Sequence, residues 1–184
     1  MARSAHPELT RAALLAAARQ VLRRQGATLS LDAVAREAGI SKGGLLHHYP
    51  TKERLLAALA HALVEDFQRE LAAVHGAETA QRGPQPGAWL RAYIEVCFRP
   101  DVDEPALSAA LAPLGALPEQ LASLQEMQAF VLRDAEADGL PAGRAHAVRL
   151  ACDGLWLGRQ VGIPDLDAAR LAALKEELIA WTRP

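Results

Sequence analysis

The segment Ser30-Leu-Asp-Ala-Val-Ala-Arg-Glu-Ala-Gly-Ile-Ser-Lys-Gly-Gly-Leu-Leu-His-His-Tyr49 leaves this chain few ways to fold, because it reads as two short helices joined by a glycine turn. Ser30 is a good N-cap for the first helix, whose apolar positions Leu31, Val34, Ala35 and Ala38 fall on one side. Gly39 supplies the residue that adopts a left-handed conformation at the helix end. Ile40 packs the corner and Ser41 caps the second helix, which carries Lys42, Gly43, Gly44, His47 and His48 before Tyr49-Pro50. This is the layout of a DNA-reading helix-turn-helix. Small, donor-rich residues suit a surface that lies close to phosphates and base edges, and they do not suit a core.

Lys42 stands at the helix start, where its charge and the free N–H groups of the first turn both favour a phosphate or a guanine edge. Gly43 and Gly44 each cost about 1 kcal/mol of helix propensity relative to alanine, so stability does not explain them. Close approach to a groove does; a bent helix without function is the alternative. His47 and His48 raise the question of a metal, but neighbouring residues on a helix point about 100° apart. No cysteine or acid sits at a companion spacing, so neither metal nor cofactor is expected. Tyr49 is expected to pack as a hydrophobic lock behind the recognition helix, and for Arg36 and Arg54 phosphate contact and solvated surface remain equally open.

Charge is distributed to match. Residues 1–60 hold nine Lys or Arg against four acids, about +5, whereas the whole chain of 184 residues has a net charge of −2, leaving the remainder about −7. A basic head on an acidic body is the footprint of a protein whose head alone meets a polyanion. No apolar run approaches the ~20 residues of a membrane span. The N-terminus, Met1-Ala-Arg-Ser-Ala-His-Pro7, lacks the apolar core of a signal peptide, so a cytoplasmic protein is expected. Cys97 and Cys152 lie far apart in no metal or redox spacing and are expected to behave as small buried apolar residues.

Every segment has a helical period and none alternates like a strand, which predicts an all-α chain of about nine helices. A first helix runs from Pro7 to Gln25-Gly26; after the helix-turn-helix, Thr51 caps a long one whose stripe Leu56, Leu59, Leu63, Phe67, Leu71 and Val74 ends near His75-Gly76. A loop is expected from Gly76 to Gly87, then a helix from Trp89 to Cys97, and one from Pro105 interrupted between Pro113 and Pro118. Another carries Leu121, Leu124, Met127, Phe130 and Val131 and ends at Asp138-Gly139. The last two, Ala145 to Gly162 and the stripe Leu171, Leu174, Leu178 and Trp181, carry enough apolar surface to form a subunit interface; a monomer's core and lid is the alternative. Two domains are expected: residues 1–55, a three-helix head that carries the DNA-reading motif, and residues 56–184, a helical bundle.

Leu14, Leu15, Ala17, Ala18, Val21, Leu22 and Gly26, then Leu29 through Ala35 and Gly39-Ile40-Ser41-Lys42-Gly43, then Tyr49 and Thr51-Lys52-Glu53-Arg54-Leu55-Leu56, resemble in order and spacing the N-terminal signature of the TetR family of transcriptional repressors. The likeness covers the first third of the chain. Gly44 stands where the family commonly has a hydroxyl, and Leu46 where it commonly has a phosphate-contacting tyrosine. The resemblance implies that His48 meets a phosphate and that Lys52 clamps another; the expected DNA-contacting set is Ser30, Arg36, Ser41, Lys42, Gly43, Gly44, His47, His48, Tyr49, Thr51 and Lys52. It also implies a homodimer through the last two helices, double-stranded operator DNA as partner, and a small-molecule effector in the body.

For that effector the sequence offers materials only. Trp89, Tyr93, Phe98, Leu111, Met127, Phe130 and Trp156 are large and apolar or polarizable, and Glu95, Glu126, Asp134 or Asp153 can meet a positive charge. The expected lining is Trp89, Tyr93, Met127, Phe130, Asp153 and Trp156, with a flat, apolar and cationic ligand as the preferred kind. The leading expectation is a ligand-released repressor on a palindromic operator; a DNA binder without ligand control, a helical-bundle enzyme and an interaction module are the alternatives. Against an enzyme, there is no carboxylate–histidine repeat for two metals, no phosphate-binding glycine loop and no nucleophile elbow.

Overall fold

The computed structural model describes residues 7–99, 118–160, 163 and 166–183. Among these it holds eight α-helices, one short 3-10 turn at Gly26–Thr28 and no strand: α1 Pro7–Gln25, α2 Leu31–Glu37, α3 Lys42–His48, α4 Lys52–Arg82, α5 Ala88–Cys97, α6 Pro118–Ala137, α7 Ala142–Gln160 and α8 Ala168–Trp181. The helix expected from Pro105, and Leu111 with it, lie outside the described residues. The chain divides into two compact units, Met1–Val64 with Val102–Ser123 and Glu65–Asp101 with Leu124–Pro184.

In the first unit α1 packs on α2 and α2 on α3. Leu14, Leu22, Leu29, Val34, Leu45, Leu55 and Leu59 are wholly buried; each such side chain contributes roughly 1.5–3 kcal/mol of transfer free energy. The caps read from the sequence form. Ser30 Oγ accepts the Ala33 N–H at 3.2 Å and Ser41 Oγ the Gly44 N–H at 3.1 Å, and Gly39 turns the corner at φ +68°. Thr51 Oγ1 accepts the Arg54 N–H at 3.2 Å and opens α4. The Glu53 carboxyl is held below its ordinary range by its own backbone amide and by Thr51.

In the second unit the core is built on α5. Trp89, Leu90, Tyr93 and Ile94 from α5 are buried with Leu71 of α4, Val131 of α6, Val148 and Cys152 of α7 and Leu178 of α8. The N-terminus of α5 has no cap from its own neighbours, since Gly87 precedes it in a left-handed conformation. Asp138 caps it from a distance, its carboxylate accepting the N–H groups of Trp89 and Leu90 at 2.9 Å each. Arg91 ties the same corner together. Its side chain pairs with Glu78 on α4 and donates to the carbonyls of Pro86 at 3.2 Å and Thr182 at 3.0 Å.

Two expectations are corrected here. The long helix does not end near His75-Gly76: α4 continues to Arg82, and the break is confined to residues 83–87. One interior glycine costs only about 1 kcal/mol, and the helix formers Ala77, Glu78, Ala80, Gln81 and Arg82 follow it, with Glu78 anchored by Arg91. The stripe on the last helix is not a single seam facing outward, because Leu178 is 2% exposed within the core of its own unit. Among the described residues the exposed large apolar ones are instead Leu121 and Leu132 on α6, Leu150 and Leu157 on α7, Ile163 and Leu166 after it, and Trp181 at the end of α8.

Candidate DNA interface and ligand cavity

Ser30, Arg36, Ser41, Lys42, Gly43, His47 and Thr51 are exposed, Gly44, His48 and Lys52 are half-buried, and Tyr49 is buried. Ser30, Ser41 and Thr51 spend their side-chain oxygens on helix caps, so they hold the two short helices and the start of α4 in register. Tyr49 is among the buried apolar residues of the first unit. His47 and His48 meet edge to face, ring centroids 5.5 Å apart. Among the described residues no group of three His, Cys, Asp or Glu is placed to hold a metal ion.

Two features of this surface were not legible in the sequence. Lys42 Nζ pairs with Asp32 Oδ2 at 2.9 Å, both side chains being more than half exposed. Such a pair is worth about 0–1 kcal/mol and breaks readily in favour of a stronger anion. Arg24 makes a two-pronged pair with Glu37, at 2.9 and 3.1 Å, fastening the end of α1 to the end of α2. Around Gly43 the structure is open: a Cβ added there meets nothing within 4 Å. Packing inside the protein therefore does not require glycine at this position.

The second unit contains a cavity of about 700 Å³ between the later turns of α4, the start of α5 and the end of α6. Leu71, Trp89 and Phe130 form its apolar wall, and Gln68, His75, Thr79, Asp134 and Asp138 bring polar groups to it. Thr79 Oγ1 is buried and without a hydrogen-bond partner among the described residues. Burial pushes the Asp138 carboxyl above its ordinary range; the amides of Leu90 and Trp89, Arg91 and His75 act against that shift without cancelling it. Asp134 pairs with Arg133 at 2.7 Å, and the Arg133 guanidinium lies 5.5 Å from the Phe130 ring centre.

Of the six residues expected to line a ligand site, Trp89 and Phe130 belong to this cavity and Tyr93, Met127, Asp153 and Trp156 do not. Tyr93 stacks on Trp89 with centroids 5.3 Å apart, and its hydroxyl donates to Asp153. Burial first, then Cys97 and Asp153, pushes the Tyr93 phenol up, so it stays a neutral donor. Asp153 is also bound to Arg149 Nη1 at 2.6 Å, which satisfies its charge internally. Met127 and Trp156 are half-buried on α6 and α7. The polar lining at His75, Thr79 and Asp138 carries no signal in the sequence, where Gly76 and Asp138-Gly139 read as helix ends; of Glu95, Glu126, Asp134 and Asp153, Asp134 is the one that reaches the cavity.

Comparison with known proteins agrees with both units. Residues 14–59 match the model for bacterial regulatory proteins of the tetR family, and residues 87–183 match the model for the tetracyclin repressor-like C-terminal domain. No curated protein matches the chain in sequence. Among solved structures, a TetR transcription regulator from Haloarcula marismortui superimposes with a TM-score of 0.74 at 20% identity, over 95% of this chain and 97% of that one. The multidrug binding protein EbrR complexed with ethidium gives 0.67 at 23% identity, over 95% and 99%. The same protein complexed with malachite green gives 0.64 at 23%, over 95% and 98%. At these identities the likeness is one of fold. No helix among the described residues is long and apolar enough to cross a membrane.

Proposed function

The chain belongs to the TetR family of transcriptional regulators, with a DNA-binding helix-turn-helix, and from that premise we propose that it is a repressor released from its operator by a small molecule. It binds as a homodimer through its last two helices, acts in the cytoplasm and carries out no reaction of its own. The observation that carries the DNA half is α3. A helix held by Ser41 at its start and Leu45 in the core turns Lys42, Gly43 and His47 outward, with no protein atom over Gly43. Donors and an open backbone on one exposed helix are what a major groove requires. Lys52 supplies a phosphate clamp in the first turn of α4, and Arg36, His48 and the capping residues complete the contact set.

The dimer reading rests on apolar exposure. Leu150 and Leu157 lie seven residues apart on α7 and are 57% and 52% exposed, and Trp181 of α8 is 42% exposed. Two turns of one helix face with leucine in water are the material of a helix-pair seam.

The effector reading rests on the cavity, and the ligand we propose is a flat, apolar cation. Phe130 and Asp134, both on its wall, already hold a flat delocalised cation, the Arg133 guanidinium. Trp89 offers a second ring, Thr79 a hydroxyl in need of a partner, and the size suits a molecule of several fused rings. That EbrR has been captured with ethidium and with malachite green supports the same class. A ligand there presses on Gln68, Leu71 and His75 of α4, the helix whose first turn carries Lys52. Release then needs only a differential affinity for two arrangements of α4.

The test is a fluorescence anisotropy titration of a DNA fragment from beside the protein's own gene, with and without ethidium. Specific binding weakened by ethidium at a dose that leaves an unrelated repressor on its own operator supports the whole reading, because it excludes intercalation into the DNA as the cause. Specific binding indifferent to ethidium and to a panel of anionic and neutral ligands favours a DNA binder without ligand control. Release by anionic or acyl-chain compounds alone overturns the cationic class, and absence of specific binding overturns the repressor.

A further inference from the structure

The only two cysteines of the chain, 55 positions apart, meet in the folded second unit. Cys97 is the last residue of α5 and is half-buried; Cys152 is in the middle of α7 and wholly buried. α5 packs directly on α7. Tyr93, one turn before Cys97, bonds to Asp153, the neighbour of Cys152, so the register of the two helices is fixed at this level. Arg159 Nη1 donates to the Cys97 carbonyl at 3.2 Å and holds the last turn of α5 against α7. Cys97 packs against the buried cluster that contains Cys152, and the neighbouring Cys97, followed by burial, pushes the Cys152 thiol up. Cys152 is therefore a protonated, wholly buried thiol beside Cys97, the less buried residue of the two. Their packing agrees with the expectation of small apolar residues, and their adjacency adds to it.

We propose that Cys97 and Cys152 are a peroxide-oxidisable pair that closes to an intramolecular disulfide between α5 and α7. The co-reactant is a hydroperoxide. Cys97 sulfur attacks the peroxide oxygen, the O–O bond breaks, and the products are a Cys97 sulfenic acid and an alcohol, or water when the oxidant is hydrogen peroxide. Cys152 sulfur then attacks the Cys97 sulfur, losing its proton as the sulfenic oxygen leaves as water. Each sulfur gives up one electron and the two peroxide oxygens together accept two. The order follows from burial: Cys97 is half-buried, while Cys152 is wholly buried. In a reducing compartment the pair rests as two thiols, and a disulfide formed there is transient. Neither sulfur belongs to the ligand cavity, so this input is separate from the effector.

The experiment treats the full-length wild-type protein with hydrogen peroxide, then alkylates it under denaturing conditions and measures intact and peptide masses without reduction. The expected result is a loss of about 2 Da per chain, for the two hydrogens removed, with one cross-linked peptide pair containing Cys97 and Cys152 that a dithiol reductant separates. Cys152→Ser, checked for helix content by circular dichroism, is expected to gain oxygen at Cys97 instead, about 16 Da at a time. Should that variant not fold, the wild-type result alone decides. The proposal is overturned if oxygen accumulates on Cys97 of the wild type while Cys152 remains alkylatable. It is equally overturned if the cross-link joins two chains, or if both thiols survive a tenfold excess of peroxide.

Discussion

Gly43→Ala separates what the protein needs to fold from what it needs to read DNA. The glycine lies in the first turn of α3 with an ordinary helical φ, is exposed, and has no neighbour within 4 Å of an added Cβ. Alanine therefore enters without collision and gains helix propensity, about 0.5–1 kcal/mol at this end position. For a chain of this size that is a rise of about 1–4 °C in Tm. On DNA the sign reverses. If the groove closes over Gly43, the methyl group overfills a packed contact at a cost of about 1–3 kcal/mol, which is about a five- to 150-fold loss of affinity. Thermal unfolding followed by circular dichroism and an anisotropy titration at fixed salt measure both halves on one preparation. A variant that gains stability and keeps its affinity refutes close approach as the reason for the glycine. One that loses stability refutes the open environment itself.

Asp32→Asn is expected to leave stability within about 0.5 kcal/mol, since the exposed pair with Lys42 is weak, and to raise DNA affinity several-fold by freeing Lys42 and removing a negative charge; a fall in affinity would make Asp32 a positioning residue instead. Lys52→Ala is expected to reduce the slope of log affinity against log salt by about one, in all sequences alike, and an unchanged slope would remove Lys52 from the phosphate contacts. Leu150→Glu with Leu157→Glu is expected to give a folded monomer by analytical ultracentrifugation, whereas Leu178→Glu buries a charge in the subunit core and unfolds the second unit. A dimer that survives the double change places the interface elsewhere. Asp138→Ala is expected to cost about 2–4 kcal/mol by orphaning two N–H groups at the start of α5. With its folded carboxyl above the ordinary 3.8, the native chain binds this proton more tightly than the unfolded one, so stability falls as pH rises from that value through the raised one. In Asp138→Asn this pH dependence disappears; an identical dependence in both proteins would assign it to another group.

Local signals were legible and distant partners were not. Ser30, Gly39, Ser41 and Thr51 act on residues within a turn of themselves, so the helix-turn-helix could be read from the one-dimensional pattern and stands as expected. Gly76 failed as a punctuation mark because the residue that holds α4 beyond it, Arg91, is on another helix. The same holds for Asp138, which as a sequence signal ended one helix and in the fold caps a different one 48 residues away. Periodicity found the apolar faces of α7 and α8 but could not divide them between the subunit core and its surface; burial assigns Leu178 to the core and leaves Leu150 and Leu157 outside. Of the residues singled out by type, Trp89 and Phe130 line the cavity, while Tyr93 and Asp153, equally attractive by type, satisfy each other.

Hydroxyl-radical footprinting of the full-length protein on DNA from beside its own gene tests the central claim most directly. A dimer of helix-turn-helix heads protects two related half-sites about 34 Å or somewhat more apart along the duplex, on one face, as an imperfect palindrome. Protection that is uniform and independent of sequence, or confined to a single asymmetric half-site, would contradict it.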